Sequence, residues 1–188
     1  NSSNHSYIGT EDGRVLIVDP LKLSISKVFR IKGTPLQIAP LGIFNVDYRI
    51  FVLTREGRIL TIKNSEVSGR VLPCDGVPVG MVCAGAKEIY IALSNRVFEV
   101  RTMKGRKVCS VHLDSDILDM QLFDKGEKAR AILLGLSNGE IRIYKLNRLL
   151  YKSNPEDGEM SDNIMALRCG RYGRSNICLT SIRRSGTC

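Results

Sequence analysis

Apolar and polar residues alternate along the two stretches that flank Asn138 and Gly139, between residues 134 and 145. Alternation with a period of two is typical of half-buried β-strands, and an Asn-Gly pair between two such stretches is the strongest short-range signal for a β-hairpin. Both central residues of a type I′ turn take positive φ, so the pair predicts a turn of that type. We therefore predict a β-hairpin over residues 134–145.

The same pattern occurs four more times along the chain. Its further turns lie at residues 11–13, 55–57, 94–95 and 185–186. A repeat of about 40 to 50 residues, built of short strands with no helical pattern between them, is typical of propeller blades. The sequence therefore predicts an all-β fold, a WD40-like β-propeller of four-stranded blades.

The order of inner strand, hairpin and outer strand divides residues 1–188, read as a fragment of a single propeller domain, into repeats. We place these repeats at residues 6–35, 36–76, 77–116, 117–162 and 163–188. In the second repeat, residues 44–49 are interpreted as a polar link and residues near 69–72 as the outer strand. About four and a half blades leave strand edges and apolar faces uncovered, so we expect the chain to be part of a longer ring.

Composition fits a folded domain. Of the 188 residues, 43% are hydrophobic and 25% charged, which is ordinary for a globular protein. No apolar run approaches the roughly 18 residues of a membrane span, and no signal-peptide core is present, so we expect a soluble, intracellular chain. The six cysteines form no Cys-x-x-Cys pair, which favours reduced, mostly buried thiols over disulfides or a metal site.

Motifs for catalysis are missing from the sequence. It contains no nucleophile elbow, phosphate loop, dinucleotide fingerprint or metalloprotease motif. Paired acids such as Glu11 and Asp12 lie in predicted turns, where carboxylates usually bind local backbone amides. We expect no enzyme activity, catalytic residue, metal or cofactor.

The charge distribution points to binding instead. The net charge is +9, which is compatible with a nucleic acid, an anionic membrane, an acidic protein or compensation by other parts of an assembly. From residue 164 to the C-terminal residue there are five arginines and no acid. These arginines either form a binding face with an aromatic anchor, or they pair with acids elsewhere, such as those of residues 156–162. The candidate partner-binding residues are Arg171, Tyr172, Arg174, Arg183 and Arg184.

An ordered set of segments resembles a known family. The segments are Gly9-Thr10-Glu11 with Val18-Asp19-Pro20, Asn45-Val46-Asp47-Tyr48-Arg49, Pro78-Val79-Gly80-Met81, Lys104-Gly105-Arg106-Lys107, residues 135–144, and Gly170-Arg171-Tyr172-Gly173-Arg174. In this order and at this spacing they resemble the N-terminal propeller of the Bardet-Biedl syndrome protein 1 family over nearly the whole chain.

The resemblance implies a seven-bladed propeller of which this chain holds blades three to six and the start of the seventh. It implies membership of the BBSome, a coat that carries membrane proteins into and out of cilia. The implied partners are other BBSome subunits, a GTP-bound Arf-like small GTPase and ciliary membrane-protein cargo. The implied locations are the cytoplasm and the cilium, with its base and its membrane, and membrane association is indirect.

In the family, the GTPase contacts are expected on the first and seventh blades. This chain departs from the family pattern after Arg174, where Ser175-Asn176 and residues 182–186 replace acidic residues and a glycine-rich turn. The resemblance therefore carries over Arg171, Arg174, Arg183 and Arg184 only as candidates.

Two other functions are open to a basic propeller. One is a scaffold of another intracellular coat or adaptor complex, which would be marked by the Gly-His and Trp-Asp pairs of WD repeats; the chain has no Trp and no Gly-His pair. The other is nucleic-acid binding. Aromatic residues make up 6% of the chain and are not interleaved with the arginines as a base-stacking platform requires, so we expect no nucleic-acid partner.

Overall fold

The chain is built from β-strands. The computed structural model describes residues 5–85, 87–124, 130–153, 162–172 and 175–186, with residues 124, 171, 172 and 175–177 considered by their backbone alone. These ranges contain eighteen strands and no helix, which confirms the all-β class. The chain divides into two compact units, Asn1–Pro78 and Val79–Cys188; the single domain with five repeats stays a prediction.

The first unit holds two antiparallel sheets. One has the order β1-β2-β3, and the other has the order β4-β5-β6-β7 with β8 also paired to β6. The strands are β1 (Ser6–Thr10), β2 (Arg14–Asp19), β3 (Ser24–Arg30), β4 (Pro35–Ile43), β5 (Asp47–Thr54), β6 (Arg58–Lys63), β7 (Glu66–Val67) and β8 (Leu72–Pro73).

Two local predictions for this unit are wrong. The outer strand expected near residues 69–72 is split into β7 and β8. Asn64 and Ser65 both have positive φ, 52° and 66°, and make a two-residue turn that pairs β7 directly onto β6. The chain then leaves the ladder and returns at β8. The polar link is also shorter than expected, because residues 47–49 belong to β5 and Tyr48 is buried.

Alternating side chains of these strands build the core of the first unit. In β2, Val15 and Ile17 are buried, and in β6, Leu60 and Ile62 are buried. Residues two apart point to the same face of a strand, so each pair contributes to one apolar layer. The core consists of Val15, Ile17, Phe29, Tyr48, Ile50, Val52, Leu60 and Ile62.

The second unit holds three sheets. Two are four-stranded, with the orders β12-β11-β10-β9 and β13-β14-β15-β16, and the third is the pair β17-β18. The strands are β9 (Pro78–Ala84), β10 (Glu88–Leu93), β11 (Val97–Thr102), β12 (Lys107–His112), β13 (Ile117–Asp124), β14 (Arg130–Leu136), β15 (Ile141–Lys145), β16 (Arg148–Lys152), β17 (Ile164–Tyr172) and β18 (Ser175–Arg183).

Strand β14 is buried on both faces and joins two cores of this unit. Ile132 and Leu134 pack into a large cluster that includes Tyr90, Phe98 and Tyr144. Leu133, between them in sequence, faces the other way and packs against β17. This two-sided burial explains why β14 reads as a continuous apolar run instead of an alternating one.

The hairpin predicted over residues 134–145 is confirmed, but its turn is not type I′. The Gly139 N–H donates to the Leu136 carbonyl (3.1 Å) and the Leu136 N–H to the Glu140 carbonyl (3.0 Å). Positive φ occurs at Gly139 (80°) and not at Asn138. This is a three-residue loop in which the last residue forms a glycine bulge. The loop at residues 94–95 differs too, because its positive φ falls on Arg96 (65°).

Candidate functional site

The candidate residues that the structure describes lie at the two opposite ends of the β17-β18 hairpin. Tyr172 pairs with Ser175 at one end, and Ile164 pairs with Arg183 at the other. Eight residue steps separate these pairs along β17, which at ~3.3 Å per residue is about 26 Å. The sequence cluster therefore corresponds to two places on the hairpin, one near Arg171 and one near Arg183.

The first of these places is known only by its backbone. Arg171 and Tyr172 are the last two residues of β17, and their side chains lie outside the described part of the structure. Arg174 lies outside the described residues altogether. Their role in partner binding stays a prediction from the sequence and the resemblance.

The second place is a defined corner, which we call the Arg183 corner and which comprises Asp162, Asn163, Arg183, Arg184 and Ser185. The Ser185 N–H donates to Asp162 Oδ2 (2.8 Å), and the Arg184 N–H donates to the Asn163 carbonyl (3.0 Å). Hydrogen bonds from the Ser185 hydroxyl and N–H lower the pKa of Asp162, and the charges of Arg183 and Arg184 lower it further. Asp162, one of the acids of residues 156–162, thus binds the backbone directly after the two arginines and lies within the influence of their charges.

The turn around Gly139 lies next to this corner. A Cβ placed on Gly139 would stand 3.1 Å from the Asp162 carbonyl oxygen and 3.7 Å from Arg183 Nη1. Glycine is therefore required here both by the positive φ and by the close approach of Asp162. Sequence reasoning missed Asn163, Ser185 and Gly139 as parts of this surface, because they meet through backbone contacts that carry no residue signature.

Arg168, the remaining arginine of the sequence cluster, is held by an acid. Its Nη1 lies 3.4 Å from Asp119 Oδ2, and its side chain is 70% exposed. Asp119 also accepts hydrogen bonds from the N–H groups of Leu167 (2.6 Å) and Met120 (2.7 Å). This carboxylate ties β17 to β13, so Arg168 belongs to a structural contact.

The cysteines of the described residues are free thiols. They are Cys74, Cys83, Cys109, Cys169 and Cys178. Only Cys83 is buried, and burial raises its pKa to about 12; the other four are half-buried. Within the described ranges no group of three or more His, Cys, Asp or Glu side chains could hold a metal ion.

The described residues form a succession of small antiparallel sheets, two of them four-stranded, as is typical of the blades of a β-propeller. The first 63 residues of the chain match the family model described as ciliary BBSome complex subunit 1. The chain is 28% identical over 181 residues to the BBSome complex member BBS1 of Homo sapiens and of Mus musculus, and each match covers 95% of this chain and 30% of the relative.

Solved structures are similar to this chain as well. The crystal structure of BBS1N in complex with ARL6DN, soaked with lead, matches this chain with a TM-score of 0.89 and 34% identity. The match covers 98% of this chain and 55% of that chain. The Cps50 (Swd1) β-propeller of Myceliophteria thermophila matches with a TM-score of 0.69 and 12% identity over 88% of this chain, which shows a shared fold.

These similarities confirm the β-propeller class and the resemblance to the N-terminal propeller of BBS1. The chain spans about a third of the length of the curated relatives that it matches, and about half of the crystallised chain. Among the described residues, no helix is long and apolar enough to cross a membrane.

Proposed function

We propose that this chain forms part of the N-terminal propeller of a BBSome subunit and acts there as a non-catalytic interaction module. In this proposal an Arf-like small GTPase in its GTP form binds the propeller and brings the coat to membranes, where other subunits and membrane-protein cargo assemble. The protein would work in the cytoplasm and at the cilium, its base and its membrane, without inserting into the bilayer itself.

The observation that carries this proposal is the likeness to a propeller that was crystallised with its partner. BBS1N was solved in complex with ARL6DN, and the match covers 98% of this chain at 34% identity. The curated relatives are BBSome complex members. The absence of catalytic motifs from the sequence agrees with a role in binding.

The two ends of the β17-β18 hairpin are separate candidates for the GTPase contact. At one end, the backbone hydrogen bonds of the Arg183 corner hold Arg184 in an exposed position. At the other end Arg171 and Tyr172 are the last residues of β17, and Arg174 follows two positions later in the sequence. Because about 26 Å separates the ends, a single small GTPase need not touch both, and the two pairs of arginines can be tested independently.

The experiment is a pull-down of the full-length protein with the Arf-like GTPase locked in its GTP or its GDP form. One double variant carries Arg183→Ala and Arg184→Ala. A second double variant carries Arg171→Ala and Arg174→Ala. The matched control removes two exposed arginines elsewhere, Arg30 and Arg148.

Retention of the GTP form alone, lost in one of the two hairpin variants and kept in the control, is the expected result. Loss in only one variant assigns the contact to that end of the hairpin. Failure of both nucleotide forms to bind the unmodified protein would refute GTPase recruitment and favour the scaffold of another intracellular coat or adaptor complex.

A further inference from the structure

A basic pocket lies at one end of the β9-β12 sheet, away from the β17-β18 hairpin in sequence. It is lined by Lys87, Thr102, Met103, Lys104 and Arg106 and has a volume of about 400 Å³. Lys87 stands directly before β10, and the other four follow from the last residue of β11 into the β11-β12 turn. The pairing of Glu88 with Thr102 brings these two segments together.

The β11-β12 turn is held rigidly by local hydrogen bonds. The Gly105 N–H donates to the Thr102 carbonyl (2.7 Å), and the Thr102 N–H donates to the Arg106 carbonyl (2.9 Å). The Arg106 N–H also donates to Thr102 Oγ1 (3.2 Å). Since these bonds fix the backbone that carries Lys104 and Arg106, a ligand would not have to order the turn on binding.

The three cations of the pocket are not neutralised by the acids of their own strands. Glu99 is buried and is engaged by Arg101 and Lys107, with contacts of 2.7 Å each. Glu88 accepts a hydrogen bond from the Tyr90 hydroxyl (3.1 Å). The lining that the described residues supply contains no acid, and the ion pairs found among them include none of Lys87, Lys104 and Arg106. Among the described residues, no ion pair therefore compensates the positive charge of the pocket.

We propose that the basic pocket binds an acidic segment of a partner protein, with two or more carboxylates placed among the three cations. Clusters of basic side chains are a recurring means of recognising acidic motifs. Lipid surfaces are typically read by four to eight basic residues, and this pocket has three. Single-stranded nucleic acids need aromatic side chains for stacking. None of the described residues that line the pocket is aromatic, whereas Met103 offers apolar contact to a peptide.

The test measures binding of a fluorescein-labelled hexaglutamate peptide to the full-length protein by fluorescence anisotropy. The pocket variant carries Lys87→Gln, Lys104→Gln and Arg106→Gln. The matched control carries Lys32→Gln, Lys63→Gln and Arg148→Gln, which also removes two lysines and one arginine from exposed positions. All six side chains are exposed, so both variants should unfold at the same urea concentration as the unmodified protein.

We expect the pocket variant to bind the peptide about tenfold more weakly, and the control to change by less than about twofold, because the three pocket cations line one pocket, whereas the three control residues belong to different strands and loops. The single substitution Lys104→Gln should weaken binding by about threefold. Equal weakening in the pocket variant and the control would show non-specific attraction to the +9 chain and overturn the proposal. So would loss of binding to phosphatidylserine vesicles or to single-stranded DNA in the pocket variant while peptide binding persists.

Discussion

Arg142 is the centre of a charged network whose removal should be costly. Its Nη2 donates to both carboxylate oxygens of Asp114 (2.7 and 2.9 Å), and its Nε donates to Glu140 Oε2 (2.8 Å). The side chain of Arg142 is 7% exposed and that of Asp114 is 64% exposed. Burial alone would lower the pKa of Arg142, but the hydrogen bonds to Asp114 and Glu140 outweigh it and raise the pKa above its ordinary value.

Replacing Arg142 by Met should destabilise the fold mainly by leaving Glu140 buried with too few partners. Removing one partner of a buried ion pair typically costs about 3 to 5 kcal/mol. Glu140 keeps the Lys152 ammonium at 2.8 Å, so we expect the low end, about 3 kcal/mol. Asp114→Asn affects an exposed partner and should cost only about 0.5 to 1 kcal/mol.

The assay is urea unfolding of the full-length protein, followed through the transition that includes this propeller. A double variant, Glu140→Leu with Arg142→Met, removes the whole buried pair and should lie within about 1 kcal/mol of the unmodified protein. The coupling energy between Glu140 and Arg142 would then be about 2 kcal/mol or more, within the range measured for residues of one network. A loss below about 1 kcal/mol in Arg142→Met, equal to that of Asp114→Asn, would refute the reasoning, because the network would then behave as a surface ion pair.

Two further predictions follow from the second unit. Gly135→Ala should lower the free energy of unfolding by about 1 to 3 kcal/mol, since a Cβ at this position would stand 2.6 Å from Ile164 Cγ2. Gly170→Ala is the control, because no atom of the described residues lies within 4 Å of the added Cβ, and it should change the free energy of unfolding by less than about 0.5 kcal/mol. Burial alone would raise the pKa of Glu140, but hydrogen bonds from Lys152 and Arg142 outweigh it and hold the pKa below the ordinary 4.5. This carboxylate therefore stabilises the fold above pH 4.5, and the stabilisation is lost as the pH falls through the lowered pKa. The urea midpoint of the unmodified protein should therefore fall more between about pH 5 and about pH 3 than that of Glu140→Gln, and parallel profiles for the two proteins would contradict this.

The Glu140 network has a counterpart elsewhere in the chain, and the sequence predicted neither of the two. Glu99 and Arg101 stand two residues apart in β11 and so lie on the same face of the strand. Glu140, directly before β15, and Arg142 in β15 have the same spacing. In each case a lysine of the next strand completes the group, with Lys107 2.7 Å from Glu99 Oε1. A Glu-x-Arg spacing alone is too common to predict such a network. Whether such a pair forms a network depends on its burial, and burial depends on how the neighbouring sheets pack.

The turns give a similar lesson. Asn138 and Gly139 correctly predicted a hairpin, because alternation and a residue tolerant of positive φ are local properties. The same pair did not determine the turn type, since type I′ and bulged loops both use an Asn-Gly pair. The two-residue turn with positive φ at both positions occurs at Asn64 and Ser65 instead, where neither residue is glycine and the pairing of β6 with β7 imposes it.

The candidate site depended even more on tertiary structure. The sequence showed five arginines without an intervening acid. In the β17-β18 hairpin, Arg171 and Arg183 lie near opposite ends, although only twelve positions separate them in the sequence. The fold also brings Asp162, which precedes the hairpin, against Ser185, which follows β18. The basic pocket was not predicted, because Lys87 and Arg106 are distant in sequence and meet only through the pairing of β10 with β11.

By itself, the sequence determined that this protein is an all-β propeller built from repeated hairpins, because the alternation of side chains and the conformational needs of turns are written in neighbouring residues. The ordered motifs also determined its likeness to BBS1. Only the tertiary structure decided which charges are buried in networks, which arginines share a surface and where a pocket forms. These properties depend on distances between strands and on the exclusion of water, which arise only when separate parts of the chain are packed together.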